Sequence, residues 1–138
     1  MNLHWTPQAA QFVAQFLGFS QGFGANQSAF VIDKNGQVAA GIVFHNWNPD
    51  AGVIEVSAAA LSPKWAQRRV LRDLTGYAWA IGCQAMVARH SEDNAPARRL
   101  WAALGATEHF LPHMRGRNVT ECVAILTKDA FEASKFAR

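Results

Sequence analysis

The chain has 138 residues, half of them apolar and 17% charged, a length and balance that fit one compact globular domain and exclude a disordered chain. No apolar run reaches the roughly eighteen residues that cross a bilayer, and the start MNLHWTPQAAQ has no basic segment leading into an apolar one, so no membrane span or secretory signal is read. A cytoplasmic protein is therefore expected, with Cys83 and Cys122 as free, mostly buried thiols. The formal charge of +3 favours anionic partners such as coenzyme A, nucleic acid or an acidic protein surface without choosing among them.

Thr6 is a natural N-cap with Pro7 at the first helical position, and Ala9, Phe12, Val13, Phe16 and Leu17 keep helical spacing until Gly18. Gly18, Gly22 and Gly24 mark a flexible loop before a strand over 29–32. Asp33, Lys34, Asn35 and Gly36 supply a hairpin turn into a second strand over 37–45, and Trp47, Asn48, Pro49 and Asp50 supply another before a third strand over 52–61. After Pro63 a helix is predicted from about Ala66, with Val70, Leu71, Leu74, Tyr77, Ala78 and Ile81 as its inner stripe and Gly82 as its end. A short strand over 85–89 empties into Ser91, Glu92, Asp93 and Asn94. Asp93 or Asn94 caps the next helix, which carries Pro96 in its first turn and stops at Gly105. Two further strands, 107–113 and 119–126, join around Arg115, Gly116, Arg117 and Asn118, and the tail from Thr127 is a short helix or frays. Asn94 thus stands at the C-terminal edge of a strand, where open α/β sheets bind ligands.

Asn94, Ala97, Leu100, Trp101, Leu104 and Gly105 resemble the N-x-x-A-x-x-L-Y-x-x-x-G-F signature of the GCN5-related N-acetyltransferase (GNAT) superfamily, with Trp101 in place of tyrosine and Ala106 in place of phenylalanine. The order of elements matches that family's core over nearly the whole chain. The resemblance implies an α/β (α+β) fold, a central mixed, mostly antiparallel sheet flanked by helices, forming one domain over residues 1–138. The family's first strand would lie within residues 1–5, and its second helix has almost no room, so the N-terminal substrate-binding part is reduced.

The resemblance also implies that acetyl-CoA, as co-substrate, lies between two splayed strands, here 52–61 and 85–89. Its pyrophosphate would rest on the helix N-terminus that follows, where free amides and the helix dipole attract an anion. The family loop reads Q/R-x-x-G-x-G/A, whereas residues 62–72 contain no glycine. With Gln67 in the first position, Val70 and Arg72 occupy the glycine places; a shifted register puts Arg69 and Leu71 there, with side chains that obstruct the phosphates. Arg68, Arg69 and Arg72 either compensate by bidentate contacts or form a solvated helical face. Backbone amides near Ala60 and Leu61 would polarise the thioester carbonyl. Asn94 would bond the pantetheine arm or act as a cap, and Ala97 and Trp101 would wall the cofactor channel. Because indole is no useful proton donor, the family's general-acid tyrosine has no counterpart at Trp101.

Glu55 is the first candidate for the base that deprotonates the amine, sharing a strand face with Ser57 and Ala59; an exposed edge position or a structural ion pair is the competing reading. His45 and His90 are alternatives, and a lone histidine at the place of His90 is more often a surface residue. No metal site is expected, since His109 and His113 would stand ~13 Å apart on a strand. The activity implied is acyl-CoA-dependent N-acyl transfer, most simply N-acetylation, to an amine of a small molecule or protein by direct attack, with homodimerisation common in the family. Two other readings stay open. One is a binding module that has kept the cleft but not the chemistry. The other is a nucleic-acid binder or modifier using Arg68, Arg69, Arg72, Arg89, Arg98, Arg99, Arg115 and Arg117, similar to divergent phage and mobile-element relatives with an altered phosphate loop.

Overall fold

Capping residues and short turns set where the backbone changes direction, and the computed structural model describes all 138 residues. After β1 (Asn2–Trp5), the Thr6 hydroxyl accepts from the Gln8 amide and starts α1 (Pro7–Leu17), which Gly18 closes in the left-handed conformation. A meander of β2 (Asn26–Ile32), β3 (Val38–Asn48) and β4 (Val53–Ala60) follows, then α2 (Arg68–Ala80), β5 (Ala85–Ser91) and α3 (Ala95–Leu104). The chain ends with β6 (Thr107–Leu111), β7 (Glu121–Thr127), α4 (Lys128–Glu132) and a single 3-10 turn. No helix is long and apolar enough to cross a membrane.

The seven strands form one mixed sheet in the order β1-β2-β3-β4-β5-β7-β6. Every neighbouring pair is antiparallel except β4 and β5, which run parallel. β7 inserts between β5 and β6, pairing with both over its length. One face of the sheet carries α1, and Gly41 lets it sit close: a Cβ there would meet Val13 at 2.8 Å and Phe12 at 2.9 Å. The other face carries α2, α3 and α4 over a core that includes Ile42, Phe44, Ile54, Leu71, Leu74 and Leu126, each at most 4% exposed. Burying each such side chain contributes about 1.5–3 kcal/mol.

The element order follows the sequence reading, but several boundaries move. β2 begins at Asn26 because polar Asn26, Gln27 and Ser28 pair with His45, Phe44 and Val43 across the hairpin. β3 runs past His45 to Asn48 through a bulge, at which Asn46 takes a positive φ of 53° that asparagine tolerates better than most residues. The turn therefore falls at 49–52. β6 stops at Leu111, before Pro112, and His113 lies outside any strand with a φ of 69°. The tail is helical and packs Phe131 into the core. Between Gly18 and Ala25 there is no helix.

Candidate active site

β4 and β5 pair at three positions only, Val53 with Ala85, Ile54 with Met86 and Glu55 with Val87. Both strands continue beyond that point, β4 held by β3 and β5 by β7, so the gap between them opens into a wedge with two unpaired edges. A cavity of about 620 Å³ fills the wedge. Side chains alternate between sheet faces, and the cavity is lined by both sets. Glu55, Ser57, Ala59, Arg89, Ser91 and Glu121 come from the α1 face, while Val56, Ala58, Ala60, Met86, Ala88 and His90 come from the α2/α3 face. The wedge is therefore a slot through the sheet with two mouths.

At the α1 mouth the polar groups form a connected set. Glu55 accepts a hydrogen bond from Asn46 Nδ2 at 3.0 Å, and its other oxygen lies 3.8 Å from His45 Nε2, which is 2.8 Å from Ser57 Oγ. The bulge at Asn46 turns that amide toward Glu55. Burial pushes the His45 pKa down, against the opposing charge of Glu55, so the ring is neutral near pH 7. Opposite, on the β5 and β7 side, Glu121 is 1% exposed and its carboxylate is gripped by Arg89 through Nε at 3.1 Å and Nη2 at 2.9 Å, and by Arg115 at 3.3 Å. A carboxylate buried to this degree costs several kcal/mol unless it is paired. The Glu121 hydrogen bonds and charge raise the Arg89 pKa further. Phe16, Leu17 and Phe19, from the end of α1 and the loop after it, add an apolar rim.

At the α2/α3 mouth the two helix starts differ. Asn94 Oδ1 accepts from the Ala97 amide at 3.3 Å and caps α3. Gln67, the N-cap of α2, makes no side-chain capping bond, and the first helical bond runs from the Leu71 amide to the Gln67 carbonyl. The amides of Arg68, Arg69 and Val70 therefore point out of the helix end without a protein partner.

The slot gathers Glu55, His90, Ala60, Leu71, Asn94, Ala97 and Trp101 on its walls, but not Leu61, Gln67, Arg68, Arg69, Val70 or Arg72. Three expectations change. The Leu61 amide donates to Ala39 O at 2.8 Å and is not free to polarise a carbonyl. Since successive N–H groups alternate between strand edges, it is the Ala60 amide that faces the slot. His90 is not a surface residue: it is 7% exposed, its Nε2 has no partner, and burial pushes its pKa down. The obstruction expected from the missing glycines is also absent at Val70 and Leu71, whose side chains are buried in the core below α2. Arg69 and Arg72 line a separate shallow depression beside β1.

Of the arginines read as a basic patch, Arg89 and Arg115 are tied to Glu121 and Arg98 to Glu108 at 2.8 Å. Sequence reasoning missed Glu121 and its pairing with both Arg89 and Arg115. The available signal was a lone carboxylate, Glu121, at the head of an otherwise apolar strand, with Arg115 and Arg117 a few residues before it in sequence. Cys83 and Cys122 are free and buried, with thiol pKa values pushed up by burial, which leaves them unreactive.

Comparison with known proteins places this geometry. No curated protein sequence matches significantly. Among solved structures, the F149A mutant of spermidine N-acetyltransferase from Vibrio cholerae superposes with a TM-score of 0.78 at 11% identity, over 96% of this chain and 98% of that one. The Salmonella typhimurium protein yncA, solved with its cofactor acetyl-CoA, gives a TM-score of 0.60 at 24% identity, over 83% of this chain and 67% of that one. These likenesses establish the fold. The sequence profile of the acetyltransferase (GNAT) family matches residues 3–106, three quarters of the molecule, and the chain belongs to that family.

Proposed function

We propose that the protein moves an acetyl group from acetyl-CoA to an amine, with the acyl arm entering by the α2/α3 mouth and the amine by the α1 mouth. The observation that carries this reading is the slot through the sheet, whose two mouths differ in chemistry. The residues at the α2/α3 mouth fit the coenzyme. The unpartnered amides of Arg68, Arg69 and Val70, with the helix dipole, suit its pyrophosphate, and Arg68 adds charge. Val70 or Leu71, whichever register holds, turns inward, and Arg69 and Arg72 line a separate depression, so the amides at the helix end are approachable without glycine. The unpaired edge of β4 offers backbone partners to the pantetheine amides, as a third strand would.

Acetyl-CoA supplies the acetyl group already activated as a thioester. The protein's part is orientation, proton transfer and electrostatics. The Ala60 amide lies on the slot edge where it can polarise the thioester carbonyl. Glu55, with one oxygen held by Asn46, keeps the other available for the amine's proton. His90 borders the slot on the coenzyme side with a free ring nitrogen, and it offers the leaving sulfur a hydrogen bond that Trp101 cannot supply as a proton donor.

Calorimetric titration with acetyl-CoA tests the reading. Saturable binding in the micromolar range, weakened by about tenfold in Arg68→Ala through loss of a charged phosphate contact, is expected. Absence of binding by the intact protein would overturn it.

A further inference from the structure

We propose that the acceptor is a zwitterion, an α-amino acid with an apolar side chain, whose carboxylate docks on Arg115 and Arg89 while its ammonium faces Glu55. The inference rests on the N-acetyltransferase reading and specifies its substrate class.

The charged groups on the slot wall are two carboxylates, Glu55 and Glu121, and two guanidinium groups, Arg89 and Arg115. They are not evenly spread. Glu55 stands on β4, while Glu121 and both arginines lie across the slot on β5, on β7 and in the turn before it. Glu121 is spent on the arginines, so the β5 and β7 side keeps one positive charge in excess and the β4 side one negative charge. The two sides face each other across the slot, since Glu55 pairs in register with Val87, two positions before Arg89 on the same face of β5. The site as a whole is neutral yet polarised, the complement of a molecule that carries an ammonium and a carboxylate a few bonds apart.

The arginines have donors to give. Arg115 commits one N–H to Glu121 and Arg89 commits two, and neither has another acceptor in the protein. Their side chains remain 33% and 42% exposed at the mouth, whereas Glu121 is fully covered. Glu121 therefore acts as a buried anchor that fixes two guanidinium forks, the geometry suited to a carboxylate. A polycation would instead meet two arginines and a single open carboxylate. Phe16, Leu17, Phe19 and Met114 surround the same mouth and suit an apolar side chain.

The transfer balances on these groups. The ammonium gives one proton to Glu55, which passes it to solvent. The nitrogen lone pair then forms the N–C bond to the acetyl carbonyl carbon as the C–S bond breaks, and the second proton leaves nitrogen for the sulfur. The products are the N-acetyl amino acid, the free thiol and one released proton.

The test compares acceptors that keep the same side chain but carry either a free carboxylate or an amide in its place. Acetylation of L-leucine and L-phenylalanine, followed by thiol release, is expected to exceed that of leucinamide and phenylalaninamide by at least about tenfold in kcat/KM, the usual weight of a charge-assisted hydrogen bond. Spermidine is expected to be poorer still. Arg115→Gln should raise KM for leucine more than it lowers kcat and bring the leucine to leucinamide ratio toward one, with Arg115→Lys restoring part of it. Because Arg89 keeps both of its bonds to Glu121, a thermal unfolding curve close to wild type is expected for these variants. Equal use of amino acid and amide, preference for spermidine, or no acetylation of this panel by protein that binds acetyl-CoA would overturn the proposal alone. Failure to bind acetyl-CoA would overturn the acetyltransferase reading with it.

Discussion

The two mouths of the slot are built by different means. On the α1 side, charged and polar side chains hold one another in place: Asn46, His45 and Ser57 around Glu55, and two arginines around Glu121. On the α2/α3 side, the unpartnered groups at the α2 start are main-chain amides, and the nearby side chains Val70 and Leu71 serve the core. The α3 start is closed by its own Asn94, while the α2 start is left open. A binding surface made of amides tolerates change in its side chains, whereas one made of paired charges does not.

Substitutions at the two mouths should therefore fail in different ways. The largest effect is expected from Val70→Gly, which restores a motif glycine. Loss of a core side chain and of helix propensity should lower stability by about 3–4 kcal/mol, with no gain in acetyl-CoA affinity; tighter binding would show that the helix end was obstructed after all. Next is Arg89→Met at the charged mouth, which leaves buried Glu121 with Arg115 alone and should cost about 3 kcal/mol in chemical denaturation. A loss below about 1 kcal/mol would mean that Arg115 suffices. Asn94→Ala removes only a cap, so a loss of about 1 kcal/mol with acetyl-CoA affinity little changed is expected. A loss of affinity beyond tenfold would instead assign Asn94 to the coenzyme.

The smallest effect is a pH dependence. His45 and His90 both have pKa values pushed down by burial, so the unfolded chain binds more protons than the folded one below the ordinary imidazole value. Their stabilising contribution is complete above about pH 6.5 and is lost as pH falls below it. Unfolding temperature should decline from pH 6.5 to 5 more steeply in the wild type than in a variant with both histidines changed to glutamine. Parallel curves would remove the histidines from the account.

What could be read from the sequence was local. Thr6, Gly18, Asn94 and Gly105 mark helix ends because a cap is decided by a few neighbouring residues, and each of them caps as expected. The inner stripe of Val70, Leu71 and Leu74 already implied that one of the two side chains in the glycine places turns inward in either register, a consequence the motif comparison obscured. Features that depend on distant pairing were not legible. The insertion of β7 between β5 and β6 brings Glu121 beside Arg89, 32 positions away in sequence. The bulge that directs Asn46 to Glu55 depends on the β3 and β4 register. Burial of His90 likewise follows from its pairing with Cys122 rather than from anything beside it.

The central claim is that chemistry occurs in the slot, with Glu55 taking the amine's proton at the α1 mouth and the coenzyme held independently at the other. Glu55→Gln keeps the shape and the Asn46 contact but removes the base. Steady-state acetyl transfer measured across pH beside acetyl-CoA titration of the same protein should show kcat lowered by about 10²–10⁴-fold and acetyl-CoA affinity unchanged. Turnover equal to wild type across the pH range, in a folded variant, would contradict the account.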